Sequence, residues 1–309
     1  NNILNTFCGL TALYPDSLSF SDLPIPFACV AYDLVSAQEV VINSGYLPKA
    51  ILSSMAIPGI FAPVEFDDKR FVDGGVINNF PVDVALDMGA DMIVGVDLKP
   101  EDDRDQALGE SITTILRGIV YKLESQKHDE NLKKADVVIH PDLRGITALD
   151  FDAKLVDTII ARGERAAREQ LSAIKELIKD REIIRNNNQS RAPFKPWLIT
   201  DIKLPDFYKK EKTILLQQLN IYADKSYTLE EIDKAVKRVY GYGNFETVYY
   251  KLIPNKKGFT LELHIDNKEE TVLMVGGALN TVDIAAVYLN YSYRDYSKAV
   301  NLMSVDTKI

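Results

Sequence analysis

The spacing of apolar residues along the chain changes character several times, and each change marks an element. Residues 1–13 predict the end of a helix, and Tyr14–Leu23 a polar loop. Pro24–Ala31 and Glu39–Ile42 are β-branched or aromatic and bounded by turn residues, which predicts two strands. Tyr46–Met55 reads as a helix with Pro48 in its first turn, where a missing N–H costs nothing. Val64–Val72 predicts a hairpin around Asp67-Asp68, and Pro81–Met88 a helix ended by Gly89. Met92–Val96 is a near-continuous apolar strand of the kind buried on both faces. Helical periods cover roughly 106–127 and 153–180, with a strand at Asp136–His140 between them. Strands alternating with helices predict a mainly parallel α/β sheet that lacks its first strands.

The pattern then shifts. Asn186–Pro196 is polar, Pro-containing and unpatterned, as a linker would be. After it come an alternating strand, Trp197–Lys203, and an amphipathic segment, Thr213–Leu219. A second helix opens with the capping box Thr228–Glu231 and places Ile232, Ala235, Val236 and Val239 on one face. Gly241 and Gly243 close it. Two alternating strands, Thr247–Ile253 and Phe259–Ile265, flank the turn Pro254–Gly258, so that residues 196–266 hold the elements of a small independent α+β domain. The last forty or so residues carry three more strand-like runs, Glu270–Asn280, Val282–Tyr293 and Lys298–Asp306. In the middle one Ala285, Val287, Leu289, Tyr291 and Tyr293 share a face, opposite Asn290, Ser292 and Arg294. That alternation fits a lipid-facing barrel strand, and strand by strand it fits a soluble antiparallel sheet equally well.

Composition removes several function classes. A net charge of −9 argues against a nucleic-acid partner, which would need a basic face to neutralise phosphates. The acidic run Glu101–Asp105 matches no metal-binding loop and reads as solvated. Three histidines, His128, His140 and His264, lack ligand spacing, so no metal and no cofactor is expected. Cys29 lies in the apolar run Phe27–Tyr32 and reads, with Cys8, as a free thiol rather than half of a disulfide. No run of eighteen apolar residues exists to form a transmembrane helix. No signal peptide is visible, but a chain that starts at Asn1 without Met carries no information on that point.

The candidate chemistry sits at Arg70–Ala90. Strand-like Phe71-Val72 runs into Asp73-Gly74-Gly75, where two glycines let the backbone turn beside a carboxylate. Ahead lies Ser53–Pro63, SSMAIPGIFAP; behind lie NNFPVDVALDMGA and Asp91–Lys99, DMIVGVDLK. Together these blocks resemble the C-terminal half of the patatin-like phospholipase family, over roughly residues 20–175. The resemblance implies a partial patatin-like three-layer sheet with helices. It implies that Asp73, with Gly74 and Gly75 as the rest of its D-G-G motif, takes the proton from and orients a serine that attacks a lipid ester, no histidine taking part. That serine belongs to a G-x-S-x-G turn, and none occurs in the sequence. In the family order the nucleophile and the oxyanion-hole loop precede residue 1, so the chain is expected to be a fragment, inactive alone. Ser53 and Ser54 sit at a small-residue helix end and read as packing residues.

The β-α-α-β-β order of residues 196–266 resembles a POTRA domain, the periplasmic module that precedes outer-membrane barrels, and the strands after it resemble the start of a bacterial-surface-antigen-type barrel. The expected organisation is therefore the C-terminal portion of a hydrolase domain over residues 1–185, a linker over 186–195, a POTRA-like domain over 196–266 and truncated antiparallel barrel strands over 267–309. What the resemblances imply is a lipid acyl hydrolase acting on phospholipid or another lipid ester, anchored in a bacterial outer membrane with its hydrolase domain periplasmic or surface-exposed. Two alternatives remain: a non-enzymatic outer-membrane assembly or translocation protein whose α/β domain is a binding module, and a soluble cytoplasmic patatin-like lipase. Oligomeric state is not legible.

Overall fold

Two short turns fix the first sheet. In the computed structural model, which describes residues 2–12, 14, 18–99, 127–146, 152–179, 196–206, 212–243, 245–267, 271–278, 286–295 and 301–308, β1 (Cys29–Asp33) and β2 (Gln38–Ile42) pair antiparallel. So do β3 (Val64–Phe66) and β4 (Lys69–Asp73), whose two-residue connection, Asp67-Asp68, takes positive φ at both positions, as a hairpin turn of that length demands. β4 then pairs with β1, giving the order β2-β1-β4-β3 with every neighbour antiparallel. The expected mainly parallel sheet is corrected here. Parallel neighbours need a crossover of a dozen or more residues, which turns such as Leu34–Ala37 and Asp67-Asp68 cannot supply. Only β5 (Val94–Val96) and β6 (Val137–Ile139), separated by a long connection, pair parallel among the described strands of this unit.

The helices of this unit are α2 (Leu47–Ser53), which packs on β1, β3 and β4, α3 (Val82–Asp87), a helical stretch at 127–132 (α4), and α5 (Ala153–Glu169) and α6 (Leu171–Leu177), which pack on each other. The helix expected over 153–180 divides at Gln170, and that expected over 106–127 falls outside the described residues apart from Lys127. Phe80, Val82 and Ile93 form a buried cluster with Ala85, Leu132 and Val138, and a side chain on Gly95 would collide with the Phe80 ring, so the strand lies directly beneath it. This unit comprises Asp16–Gln189.

A second unit comprises Asn1–Pro15 and Ser190–Ile309. Its sheet has the order β8-β7-β10-β9, built from β7 (Trp197–Lys203), β8 (Lys225–Tyr227), β9 (Phe245–Pro254) and β10 (Phe259–Asn267). β7 and β10 run parallel and the other pairs antiparallel. The short β8 has no apolar alternation and so leaves no mark in the sequence pattern. Helices α7 (Lys212–Leu219) and α8 (Leu229–Tyr242) pack on each other, and α8 on β9. The capping box forms as expected: Thr228 accepts from the Glu231 amide and the Glu231 carboxylate accepts from the Thr228 amide. Ile232, Ala235, Val236 and Val239 are fully buried with Ile199, Leu215, Leu219 and Leu261. The sequence pattern groups the first residues with the hydrolase domain, whereas helix α1 (Asn2–Leu10) packs on β9 and α8, burying Leu4, Asn5 and Cys8, with Asn5 Nδ2 donating to the Val248 carbonyl at 3.2 Å. β11 (Thr271–Ala278), β12 (Ala286–Asp295) and β13 (Asn301–Lys308) form an open three-stranded antiparallel sheet. Among the described residues no helix is long and apolar enough to cross a membrane.

Candidate active site

Asp73 is the last residue of β4, held on both sides by backbone. It lies opposite Ala31 of β1, and its amide donates to the Ala56 carbonyl at 2.9 Å. The chain then tightens into a single 3-10 turn, Gly74–Val76, for which Asp73 is the N-cap: its Oδ1 accepts from the Gly75 amide at 2.8 Å. The two glycines have different reasons. A Cβ at Gly74 would sit 2.4 Å from the Val30 carbonyl oxygen, so β1 leaves no room for any side chain there. At Gly75 a Cβ would meet only side-chain ends, Asn79 Oδ1 at 3.0 Å and Asp73 Oδ1 at 3.2 Å.

Burial raises the pKa of the half-buried Asp73, and the Gly75 hydrogen bond opposes the shift without cancelling it. A carboxylate so placed is a better base than an exposed one, because its proton is bound more tightly. Among the described residues only the Gly75 amide bonds this side chain, through one oxygen.

Ser53 is fully buried and donates to the Lys49 carbonyl at 2.8 Å, one turn earlier in α2; Ser54 caps the end of that helix. Neither hydroxyl is bonded to Asp73. Among the described residues neither Cys8 nor Cys29 is part of a disulfide.

Several polar residues that the sequence does not single out meet near the D-G-G turn. Asn78, Asp83, Glu39, Lys127 and Asn131 interlock through direct hydrogen bonds and ion pairs. Their sequence separations reach 88 residues, so no local pattern could have flagged them. A second group gathers at the C-terminal ends of β5 and β6. Buried Asp97 Oδ2 lies 3.0 Å from His128 Nε2 and 3.5 Å from His140 Nδ1, and the first contact is not a directed hydrogen bond. Among the described residues no cluster of three or more such groups is arranged to hold a metal.

Residues 12–86 match the Patatin-like phospholipase family. The similarity to that family lies in this stretch. The patatin-like stretch takes in β1 to β4, the D-G-G turn and most of α3, so the motif read from the sequence falls within it. An uncharacterised NTE family protein of Mycobacterium tuberculosis is 37% identical over 81 residues, 26% of this chain and 22% of that protein. A second from the same organism is 26% identical over 181 residues, 51% of this chain and 30% of its own length. Lysophospholipase NTE1 of Mycosarcoma maydis is 34% identical over 93 residues, 30% of this chain and 5% of that protein. The chain thus spans less than a third of each of these relatives.

Proposed function

We propose that the patatin-like unit contributes the carboxylate of a Ser–Asp dyad that hydrolyses lipid esters. Asp73 serves as general base, and the serine comes from a G-x-S-x-G turn outside these 309 residues. The observation that carries the reading is the state of Asp73: fixed at the end of β4, pinned through Oδ1 by the Gly75 amide, and raised by burial. The names lysophospholipase and neuropathy target esterase, borne by relatives from Mycosarcoma maydis and Drosophila melanogaster, point to phospholipid or a related lipid ester as the substrate class. The dyad needs no cofactor. In a chain extended to include the serine, Asp73→Asn should lower ester turnover by about two to four orders of magnitude, the range for loss of a general base. A variant that keeps more than about a tenth of wild-type turnover removes Asp73 from the mechanism. The 309-residue chain itself should not turn over p-nitrophenyl esters above a heat-killed control.

The reading extends to the second unit. Residues 196–266 act as a POTRA-like module, and the strands after them begin an outer-membrane barrel that anchors the hydrolase, periplasmic or surface-exposed. Support comes from the mixed sheet with β7 beside β10, its two packed helices, and the antiparallel meander β11-β12-β13 that follows. Fractionation of cells expressing the extended protein tests this: it should stay with the outer membrane after carbonate washing, and release into the soluble fraction would reject the anchor.

A further inference from the structure

Five polar side chains from four places in the patatin-like unit close on one another behind the D-G-G turn. Glu39 comes from β2, Asn78 from the loop after the turn, Asp83 from α3, and Lys127 and Asn131 from α4. Asn78 and Asn131 are 3% and 1% exposed. Asn78 Nδ2 donates to Glu39 Oε1 at 2.9 Å and to Asp83 Oδ1 at 3.1 Å. Asn131 Nδ2 divides its two hydrogens among Asp83 Oδ1 and the Phe80 carbonyl, each at 2.9 Å, and Asn78 Oδ1 at 3.2 Å. The Lys127 ammonium lies 3.0 Å from Asp83 Oδ2 and bonds Glu39 Oε2, so one cation serves two carboxylates. Burial alone would lift Asp83 and depress Lys127. The hydrogen bonds from Asn78, Lys127 and Asn131 overcome it for the acid, and those to Glu39 and Asp83 overcome it for the base.

Such a network is an expensive way to fill an interior, since apolar side chains of equal volume are commonly as stabilising. What it does supply is one geometry, because a half-made version leaves polar groups stranded. The geometry it fixes is that of the turn. The Asn78 amide donates to the Gly74 carbonyl at 2.9 Å, and the Ile77 amide to the same oxygen at 3.0 Å. Anchoring the Asn78 side chain therefore sets the 74–78 loop and, through it, the Gly75 amide that holds Asp73 Oδ1.

We propose that the Glu39–Lys127–Asp83–Asn78–Asn131 network is the positioning element for Asp73, with Lys127 as the charge that holds it together. These residues touch neither substrate nor reacting atoms; they act through the turn. The proposal rests on the reading of Asp73 as the base, and it is tested in a way that separates the two.

The direct test is on the 309-residue chain, by carboxyl-carbon NMR titration of Asp73 and hydrogen exchange at the Gly75 amide. Lys127→Met should open the turn, admit water to Asp73, and move its midpoint down toward the ordinary carboxylate range, with faster Gly75 exchange. Burial is the larger of the two influences on Asp73, so admitted water outweighs the loosened Gly75 bond, whose loss alone would move the midpoint up. The shift of Asp73 comes from burial and the Gly75 bond, with no contribution from Lys127; removing a cation by field alone would move an acid up, not down. Lys127→Arg should restore wild-type behaviour. If Lys127→Met does not fold, the isosteric Asp83→Asn takes its place, with a smaller shift in the same direction. A folded variant with an unmoved Asp73 midpoint and wild-type Gly75 exchange overturns the proposal. In the extended chain, Lys127→Met should lower kcat by about tenfold or more with KM changed less than about twofold, as expected for lost alignment. Full activity in Asp73→Asn would sink the hydrolase reading while leaving the NMR result standing; an unmoved midpoint would sink the positioning claim while leaving the hydrolase reading intact.

Discussion

Replacing Gly74 by alanine is the sharpest probe of why the motif needs its first glycine. The added Cβ would lie 2.4 Å from the Val30 carbonyl oxygen, 2.5 Å from its carbon and 2.8 Å from Val30 Cγ1, where ordinary contact begins at 3.4 Å. The shortfall against the oxygen is 1.0 Å, and the obstacle is backbone in a paired strand, which cannot rotate away as a side chain can. Gly74 does not have positive φ, so conformational strain plays no role and the penalty is steric. Relief requires the end of β4 to withdraw from β1, loosening the Ala31–Asp73 pair. Overpacking of this kind costs about 1–3 kcal/mol, and with the strand end weakened the upper figure is the one to expect. Gly75→Ala is the control. Its Cβ meets only the ends of Asn79 and Asp73, at 3.0 and 3.2 Å, and side chains that can shift should hold the loss to about 1 kcal/mol or less. Urea unfolding is followed by far-UV circular dichroism, which sees both units, alongside Trp197 fluorescence, which tracks the other unit, so that a transition moved only in the first signal belongs to this unit. At equal slopes the midpoint of Gly74→Ala should fall well below that of Gly75→Ala. Two variants within about 0.5 kcal/mol of each other would refute the steric account.

Three more outcomes follow from the same geometry. Because burial raises Asp73 above its unfolded value, its contribution to stability is present below the unfolded pKa and lost as pH rises through the folded one. Asp73→Asn, which keeps an acceptor for the Gly75 amide, should therefore be more stable than wild type in urea at pH 7, with the gap closing below about pH 4; a gap that widens on acidification would reverse the sign. Burial pushes the Cys29 thiol up to about 12. At pH 8 native Cys29 should then react with iodoacetamide roughly a thousandfold more slowly than in urea, read by mass spectrometry of its peptide; equal rates would show the thiol to be open. Leu4 of α1, 3% exposed, completes the core of the second unit, so Leu4→Ala should cost about 2–4 kcal/mol. Trp197 fluorescence in denaturant measures this, and a loss under about 0.5 kcal/mol would mean that α1 is dispensable there.

What the sequence determined by itself is what neighbours in the chain decide. The capping box at Thr228 and Glu231, the buried face Ile232–Val239, and the hairpin at Asp67-Asp68 depend on residues a few positions apart, and each is where the pattern puts it. The D-G-G motif was legible for the same reason, being three consecutive residues between a strand and a turn. The tertiary structure alone decided the rest. Helix α1 reaches across 243 residues to Val248, and Lys127 across 88 to Glu39. Two of the three histidines that looked scattered, His128 and His140, converge on Asp97, which follows β5 where β5 and β6 lie side by side. Strand direction, too, turned on how short the connections are in space rather than on the alternation of element types. Periodicity records which face of an element is buried, but not against what. The partner of a buried polar group is chosen by packing, because only in the folded chain is water absent and a distant amide or ammonium the one group left to satisfy it.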